Sequence, residues 1–115
     1  MLEKLQFYID GQWVDPVEPR TLDVVNPATE TVYGRISLGS AADVDKAVAA
    51  AGRAFDTFSR TAREERMELL QAIIDEFARR HDDVAEAIMD EMGAPWGLAK
   101  GAQALSGPQH FKAAL

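Results

Sequence analysis

The amino-acid sequence predicts an α/β fold, with strand pairs over residues 1–39 followed by about four helices over residues 40–115. Two observations lead to this prediction. Val, Ile, Tyr, Phe and Trp cluster between Gly, Pro and Asp before Ser40, which is typical of short strands and turns. From Ser40 onward the apolar residues recur with the period of a helix. No internal repeat or flexible linker interrupts the chain, so we expect a single structural unit.

Two turn motifs define the predicted strand pairs. The stretch FYIDGQWV places Asp10 and Gly11 between two apolar-aromatic runs, and Asp-Gly favours a two-residue hairpin turn. The runs TLDVV and TVYGRISL flank Asn26 to Thr29, which predicts a second corner between strands. The two prolines of DPVEPR assign the intervening segment to a loop.

A first helix is predicted from Ala41 to about Asp56. Ser40 is its expected N-cap, and Asp43 places an acidic group in the first turn. Apolar side chains at three- and four-residue spacings are predicted to line one face of this helix: Val44, Ala47, Val48, Ala51 and Phe55.

A second helix is predicted to start with a capping box formed by Thr61 and Glu64 and to end near Arg79 and Arg80. Its main apolar stripe consists of Met67, Leu70, Ile74 and Phe77. Because Leu69 and Ile73 widen this stripe, we expect part of it to pack against residues outside the chain.

A third helix is predicted to be capped by Asp82 and Asp83 and stopped at Gly93. Its apolar stripe consists of Val84, Ala87, Ile88 and Met92, and the extra apolar residues Ala85 and Met89 also suggest packing outside the chain. The Ala-rich residues 96–115 are predicted to be helical despite several glycines. They end in a helical pattern without a stop signal, so we expect a longer polypeptide.

Composition excludes several classes of function. Twelve Lys and Arg against nineteen Asp and Glu give a net charge of −7, which disfavours nucleic acid and anionic membranes as partners. The sequence contains no long apolar span and no signal-peptide pattern, so we expect a cytoplasmic protein.

The sequence offers little with which to carry out chemistry. It contains no cysteine, and its two histidines, His81 and His110, are too few and too far apart to form a metal site, and neither lies in an H-x-x-E-H or H-E-x-x-H motif. Glycines at 93, 97 and 101 match no phosphate-binding spacing. We therefore predict no catalytic and no cofactor-binding residue within these 115 residues.

Five motifs, in order, carry a family resemblance: FYIDGQWV, DVVNPATE, AADVDKAVAAAGRAF, AREERMELLQAIIDEFARR and DEMGAP. Together they resemble the N-terminal region of the NAD(P)-dependent aldehyde dehydrogenase superfamily, from about residue 5 to about residue 112. The resemblance implies the N-terminal part of a cofactor-binding domain whose helices pack on a parallel sheet located elsewhere in the polypeptide.

The resemblance also implies a function for the whole enzyme. Family members oxidise an aldehyde to a carboxylic acid with NAD or NADP, through a cysteine thiohemiacetal and thioester and a glutamate that activates water. Those two residues are expected downstream of Leu115, so the chain alone is predicted to be inactive. A small-molecule aldehyde and a homo-oligomer are the expected partners. The alternative is a free-standing, non-catalytic structural or interaction module derived from the same family.

A possible monovalent cation site follows from the same resemblance. Its ligands would be the backbone carbonyls of Val24 and Val25 and the carboxylate of Glu91. Two departures from the family pattern occur nearby: Ala94 stands where many members carry Lys or Arg, and Glu30 stands where Gly is common.

Overall fold

The computed structural model describes every residue from Met1 to Leu115. It confirms the predicted α/β class and the order of strands followed by helices. The strands are β1 (Leu2–Lys4), β2 (Phe7–Ile9), β3 (Gln12–Val14), β4 (Thr21–Asn26) and β5 (Thr31–Ser37). The helices are α1 (Ala41–Phe58), α2 (Arg63–Arg79), α3 (His81–Met92), α4 (Trp96–Leu98), a π-helical turn (Ala99–Gln103) and α5 (Ala104–Ala114).

The chain divides into two compact units, each described by itself below. The first unit contains residues 1–25 and 31–60, and the second contains residues 26–30 and 61–115. The first therefore holds most of the strands and α1, whereas the second holds the remaining helices and the turn that connects β4 to β5.

Strands β2 and β3 form the predicted antiparallel hairpin, in which Phe7 pairs with Val14 and Ile9 with Gln12. Asp10 and Gly11 make its two-residue turn with φ angles of 56° and 75°. Positive φ at both central residues is the requirement of a type I′ turn, for which Asp-Gly is a preferred sequence. The local turn chemistry is thus sufficient to explain this hairpin.

A separate three-stranded sheet has the order β1-β5-β4. Strand β1 runs parallel to β5, with Leu2 opposite Gly34. This parallel pairing is not among the predicted strand pairs. Its two strands are distant in sequence, so no turn motif connects them and none could predict the pairing. A side chain at Gly34 would lie 2.9 Å from the backbone oxygen of Leu2, so the close approach of the strands favours glycine there.

Helix α1 begins with the predicted capping box. The backbone N–H of Ser40 donates to Asp43 Oδ2 at 2.8 Å, and the backbone N–H of Asp43 donates to Ser40 Oγ at 3.4 Å. The helix runs two residues past the predicted end, to Phe58. Its predicted apolar face is largely exposed, with Val48 65% and Phe55 66% accessible.

Helix α2 begins one residue later than predicted. Ala62 is the N-cap, and Glu65, not Glu64, accepts its backbone N–H at 2.6 Å through Oε2. The predicted Thr61–Glu64 capping box is therefore wrong, because the carboxylate that reaches back lies three residues after Ala62. The predicted end of α2 at Arg79 is confirmed.

Helix α3 has Arg80 as its N-cap, and no side chain caps it. The predicted capping by Asp82 and Asp83 is therefore wrong, although both lie in the first turn, where the helix dipole favours negative charge. Gly93 ends the helix in the left-handed conformation, with φ 68°, as the sequence predicts.

The core of the second unit is built from small residues. Ala85, Ala94, Ala99 and Ala104 are buried together, and Val84 and Ile88 pack against them. Ala85 is 0% exposed, so the expectation that it faces a partner outside the chain is wrong. Alanines allow α3 and the π-helical turn to approach closely, which explains why this row is covered within the chain.

Candidate functional site

The most constrained feature of the second unit is the turn formed by residues 26–30. The side-chain oxygen of Asn26 accepts the backbone N–H of Ala28 at 2.9 Å and that of Thr29 at 3.4 Å. The backbone N–H of Glu30 then donates to the Asn26 carbonyl at 2.8 Å. Asn26 thus holds the turn with both its side chain and its backbone.

Glu30 completes this turn with φ 57°, in the left-handed region. Glycine adopts that conformation without the steric penalty that a side chain incurs. The geometry therefore gives a physical reason why glycine suits this position, and it makes Glu30 a locally strained substitute.

The turn lies directly against the end of α3. A Cβ atom at Gly93 would come within 2.9 Å of Pro27 Cγ and 3.6 Å of the Ala28 nitrogen. On the same side, the amide Nδ2 of Asn26 donates to Asp90 Oδ1 at 3.4 Å. The NPAT and MGAP motifs, far apart in sequence, therefore meet in one packed corner.

The residues predicted to hold a cation are divided between the two units. Val24, half-buried, and Val25, exposed, lie on β4 in the first unit, and Glu91, exposed, lies on α3 in the second. Backbone carbonyls and a carboxylate are the oxygen donors that a hard cation prefers, so the donor types fit. Sequence reasoning missed Asp90, the neighbour of Glu91, which contacts the Asn26 turn.

The other sequence candidates do not converge on a site. His81 is half-buried at the start of α3, and His110 is exposed on α5. No group of three or more His, Cys, Asp or Glu side chains is arranged to hold a metal ion. A shallow groove of about 330 Å³ along α3 is lined by the ionic residues Arg80, Asp83 and Glu91 and by four apolar residues, Val84, Ala87, Ile88 and Met92. None of the helices combines the length and apolarity needed to cross a bilayer.

Charge pairing at the end of α2 is structural in character. Glu76 accepts hydrogen bonds from Arg79 at 2.6 Å and from Arg80. The hydrogen bond from Arg79, followed by that from Arg80, lowers the pKa of Glu76 to about 2. All three side chains are about half exposed or more, so this cluster is a solvated helix end.

Comparison with known proteins assigns the family. The model of the aldehyde dehydrogenase family matches residues 13–115. The chain therefore belongs to the aldehyde dehydrogenase family, as the order of its motifs predicts.

Individual relatives match nearly all of this chain, but the match covers only about a quarter of their own length. A 3-succinoylsemialdehyde-pyridine dehydrogenase from Pseudomonas sp is 50% identical over 112 residues, which are 96% of this chain but 24% of that protein. The crystal structure of an aldehyde dehydrogenase from Bartonella henselae superposes with a TM-score of 0.95 at 43% identity, covering 97% of this chain and 24% of the other. This chain thus spans 24% of the length of the Pseudomonas relative.

Two further structures contain the nicotinamide cofactor. A variant of aldehyde dehydrogenase C from Pseudomonas syringae, in complex with NAD+ and octanal, has a TM-score of 0.91 and 43% identity over 93% of this chain and 22% of its own. The Mycobacterium tuberculosis aldehyde dehydrogenase in complex with NAD+ has a TM-score of 0.90 and 29% identity, covering 97% of this chain and 24% of its own.

Proposed function

We propose that these residues form the N-terminal part of the cofactor-binding domain of an NAD-dependent aldehyde dehydrogenase, and that the 115-residue chain alone does not turn over substrate. The observation that carries the proposal is the family match over residues 13–115, within a chain that contains no cysteine.

The chemistry of aldehyde oxidation explains why the chain alone is proposed to be inactive. A cysteine thiolate attacks the aldehyde carbonyl, an oxyanion hole holds the developing charge, and a general base activates the water that releases the acid. The nicotinamide accepts the hydride when bound. Without a cysteine the chain has no thiolate for the first step, and we place that cysteine and the glutamate base downstream of Leu115.

The contribution of this chain is then structural. The corner at Asn26, Pro27 and Gly93 fixes the connection between β4 and β5 against the end of α3. We assign no catalytic and no nicotinamide-binding role to any residue of the chain. The NAD+ complexes of relatives support NAD as the cofactor of the whole enzyme, and octanal in one of them supports an aldehyde substrate.

An assay for reduced nicotinamide tests the inactivity of the chain. Purified chain is incubated with NAD+ and octanal, and the expected result is no increase in the absorbance of NADH above a protein-free blank. A cofactor-dependent, protein-dependent increase would contradict the proposal. A full-length aldehyde dehydrogenase assayed in parallel confirms that the reagents work.

The free-standing, non-catalytic module remains the competing hypothesis, because the exposed apolar face of α1 would suit an interaction surface. The intact mass of the protein isolated from its natural source separates the two. A mass several-fold above 12.6 kDa supports the enzyme, and a mass equal to that value supports the module. A cytoplasmic location and a homo-oligomer stay predictions of the enzyme hypothesis.

The cation site also stays a prediction, with Val24, Val25 and Glu91 as its ligands. We expect sodium or potassium to raise the melting temperature of the whole enzyme relative to choline at equal ionic strength. Glu91→Gln should remove that difference, whereas Glu86→Gln, an exposed control on the same helix, should retain it. Equal melting temperatures in all three salts would contradict the site.

A further inference from the structure

The turn of the β2–β3 hairpin carries a reactive dipeptide that the proposed function does not use. We propose that Asp10 is a site of spontaneous isoaspartyl formation and that Arg53 is the positioning residue that slows it. The modification is independent of aldehyde oxidation. The reactive site consists of an exposed aspartate followed by glycine, and one exposed ion pair restrains the aspartate.

The reaction needs no reagent other than water. The backbone nitrogen of Gly11 attacks Cγ of Asp10, loses its proton, and expels a carboxyl oxygen as water to close a five-membered succinimide. Water then attacks one of the two ring carbonyls. Attack at the main-chain carbonyl breaks its bond to the Gly11 nitrogen, so the chain continues through Cγ as an isoaspartyl linkage. One water leaves and one enters, and no electron is transferred to or from the protein.

The sequence restricts this chemistry to one position. Asp10 is the only aspartate followed by glycine, and the other aspartates precede larger residues or, at Asp15, a proline. The single asparagine, Asn26, also precedes a proline, whose nitrogen has no hydrogen to lose. Ring closure is therefore least hindered at the Asp10–Gly11 bond.

Access at this bond is open. Apart from its two chain neighbours, no residue has an atom within 4 Å of the position where a Cβ of Gly11 would stand, so no other part of the chain packs on that side of Gly11. The Asp10 side chain is 62% exposed, which admits water to the ring. The contact that the Asp10 carboxylate makes with another side chain is its ion pair with Arg53.

The folded turn restrains the reaction without preventing it. Asp10 has φ 56° in the type I′ turn. Ring closure rotates χ1 and ψ of Asp10 to bring Cγ and the Gly11 nitrogen together, and we expect this rotation to disturb the turn. Each strand of the hairpin has only three residues, and a two-stranded sheet of this kind is marginally stable by itself. Local opening is therefore expected to expose the reactive conformation from time to time.

Arg53 adds a second restraint. Its Nη2 atom lies 2.7 Å from Asp10 Oδ2, and this ion pair orients the carboxylate towards α1. Rotation of Cγ towards the Gly11 nitrogen breaks the contact. Because the Arg53 side chain is 63% exposed, the restraint is weak, as solvated ion pairs generally are.

The product would differ from the native hairpin in its backbone. An isoaspartyl linkage inserts the side-chain methylene into the main chain and leaves the original main-chain carboxyl free as a branch. The register that pairs Tyr8 with Trp13 and Ile9 with Gln12 depends on a two-residue turn, so it would be lost. Ageing of this bond would thus disrupt the β2–β3 hairpin.

Peptide mapping of the aged, folded 115-residue chain tests the proposal. The chain is incubated at neutral pH, digested, and the peptide containing residues 10 and 11 is separated into its aspartyl and isoaspartyl forms, which have equal mass. We expect isoaspartate at Asp10, formed more slowly than in the same chain held unfolded in urea. Arg53→Gln should raise the rate by about two- to five-fold, the range an exposed ion pair supports, and Arg53→Lys should raise it less.

A second variant keeps the test decisive if the rate is low. Asp10→Asn retains a turn sequence suited to type I′ and should convert to a mixture of aspartate and isoaspartate with a measurable change in mass. Isoaspartate at Asp10 in the folded chain, with a faster Arg53→Gln variant, supports both parts of the proposal. No isoaspartate in either folded chain, while the unfolded chain forms it, would overturn the site. Equal rates in wild type and Arg53→Gln would overturn the role of Arg53.

Discussion

At the scale of single residues, Gly93 is constrained twice, by its backbone angle and by its neighbour. Its φ of 68° lies in the left-handed region, and a Cβ there would meet Pro27 Cγ at 2.9 Å. We expect Gly93→Ala to lower the free energy of unfolding by about 1–3 kcal/mol, because the two effects add. Urea titration followed by circular dichroism measures the change.

Gly52 supplies the matched control for this prediction. It lies inside α1 with nothing within 4 Å of its Cβ position. Gly52→Ala should therefore raise the free energy of unfolding by about 0.5–1 kcal/mol through helix propensity. If Gly93→Ala were as well tolerated as Gly52→Ala, the packed corner would not be a constraint on the fold.

Residue-scale prediction from the sequence succeeds where the chemistry is local. Asp10 and Gly11 adopt the positive φ angles of their hairpin turn, as their sequence predicts. Asn26 accepts a hydrogen bond from the backbone of Ala28, two residues further along the chain. The contact from Asn26 to Asp90 joins residues 64 positions apart, and no local pattern encodes it. The choice between Asp90 and Glu91 depends on how α3 is rotated, which the sequence motif does not specify.

At the scale of elements, the start of α1 depends on one buried carboxylate. Asp43 is 5% exposed and accepts hydrogen bonds from Ser40 N–H at 2.8 Å, from Ser40 Oγ at 2.8 Å and from Val17 N–H at 2.9 Å. It thereby ties the loop before β4 to the helix. The backbone hydrogen bond from Ser40 and then that from Val17 lower the pKa of Asp43.

This lowered pKa predicts a pH dependence of stability. The Asp43 carboxylate contributes stability that is fully present above its unfolded-state pKa and is lost as the pH falls through the lower folded-state pKa. Asp43→Asn should be less stable than wild type at neutral pH, and the two unfolding curves should converge in acid. Asp45→Asn, an exposed control in the same helical turn, should follow the wild-type pH profile. A constant difference between wild type and Asp43→Asn at every pH would contradict the assignment.

Element boundaries show where sequence patterns become ambiguous. Both Thr61 with Glu64 and Ala62 with Glu65 have the spacing of a capping box, and the hydroxyl of Thr61 favours the wrong pair. The parallel strand β1 has three residues, too few to show a period of two. The fold class is nevertheless predictable, because the change of period at Ser40 extends over many residues.

At the scale of the whole molecule, the exposed apolar face of α1 predicts self-association. Val44, Val48 and Phe55 are 59%, 65% and 66% exposed on one helix. Light scattering of the purified chain should show a mass that rises with concentration, because exposed apolar patches favour association. The double variant Val48→Glu with Phe55→Glu should reduce that mass, whereas Gln71→Glu, an exposed control on α2, should not. A wild-type monomer at all concentrations would contradict this prediction.

The division of the chain into units has a consequence for genetic dissection of the protein. The polypeptide passes from one unit to the other after residues 25, 30 and 60. No single cut therefore releases either unit whole. A break after residue 60 leaves the turn of residues 26–30 on the N-terminal fragment, although that turn belongs to the second unit. Gene fusions, split reporters and proteolytic fragments that use residue 60 as a domain boundary will therefore separate Gly93 from Pro27, the residue it packs against.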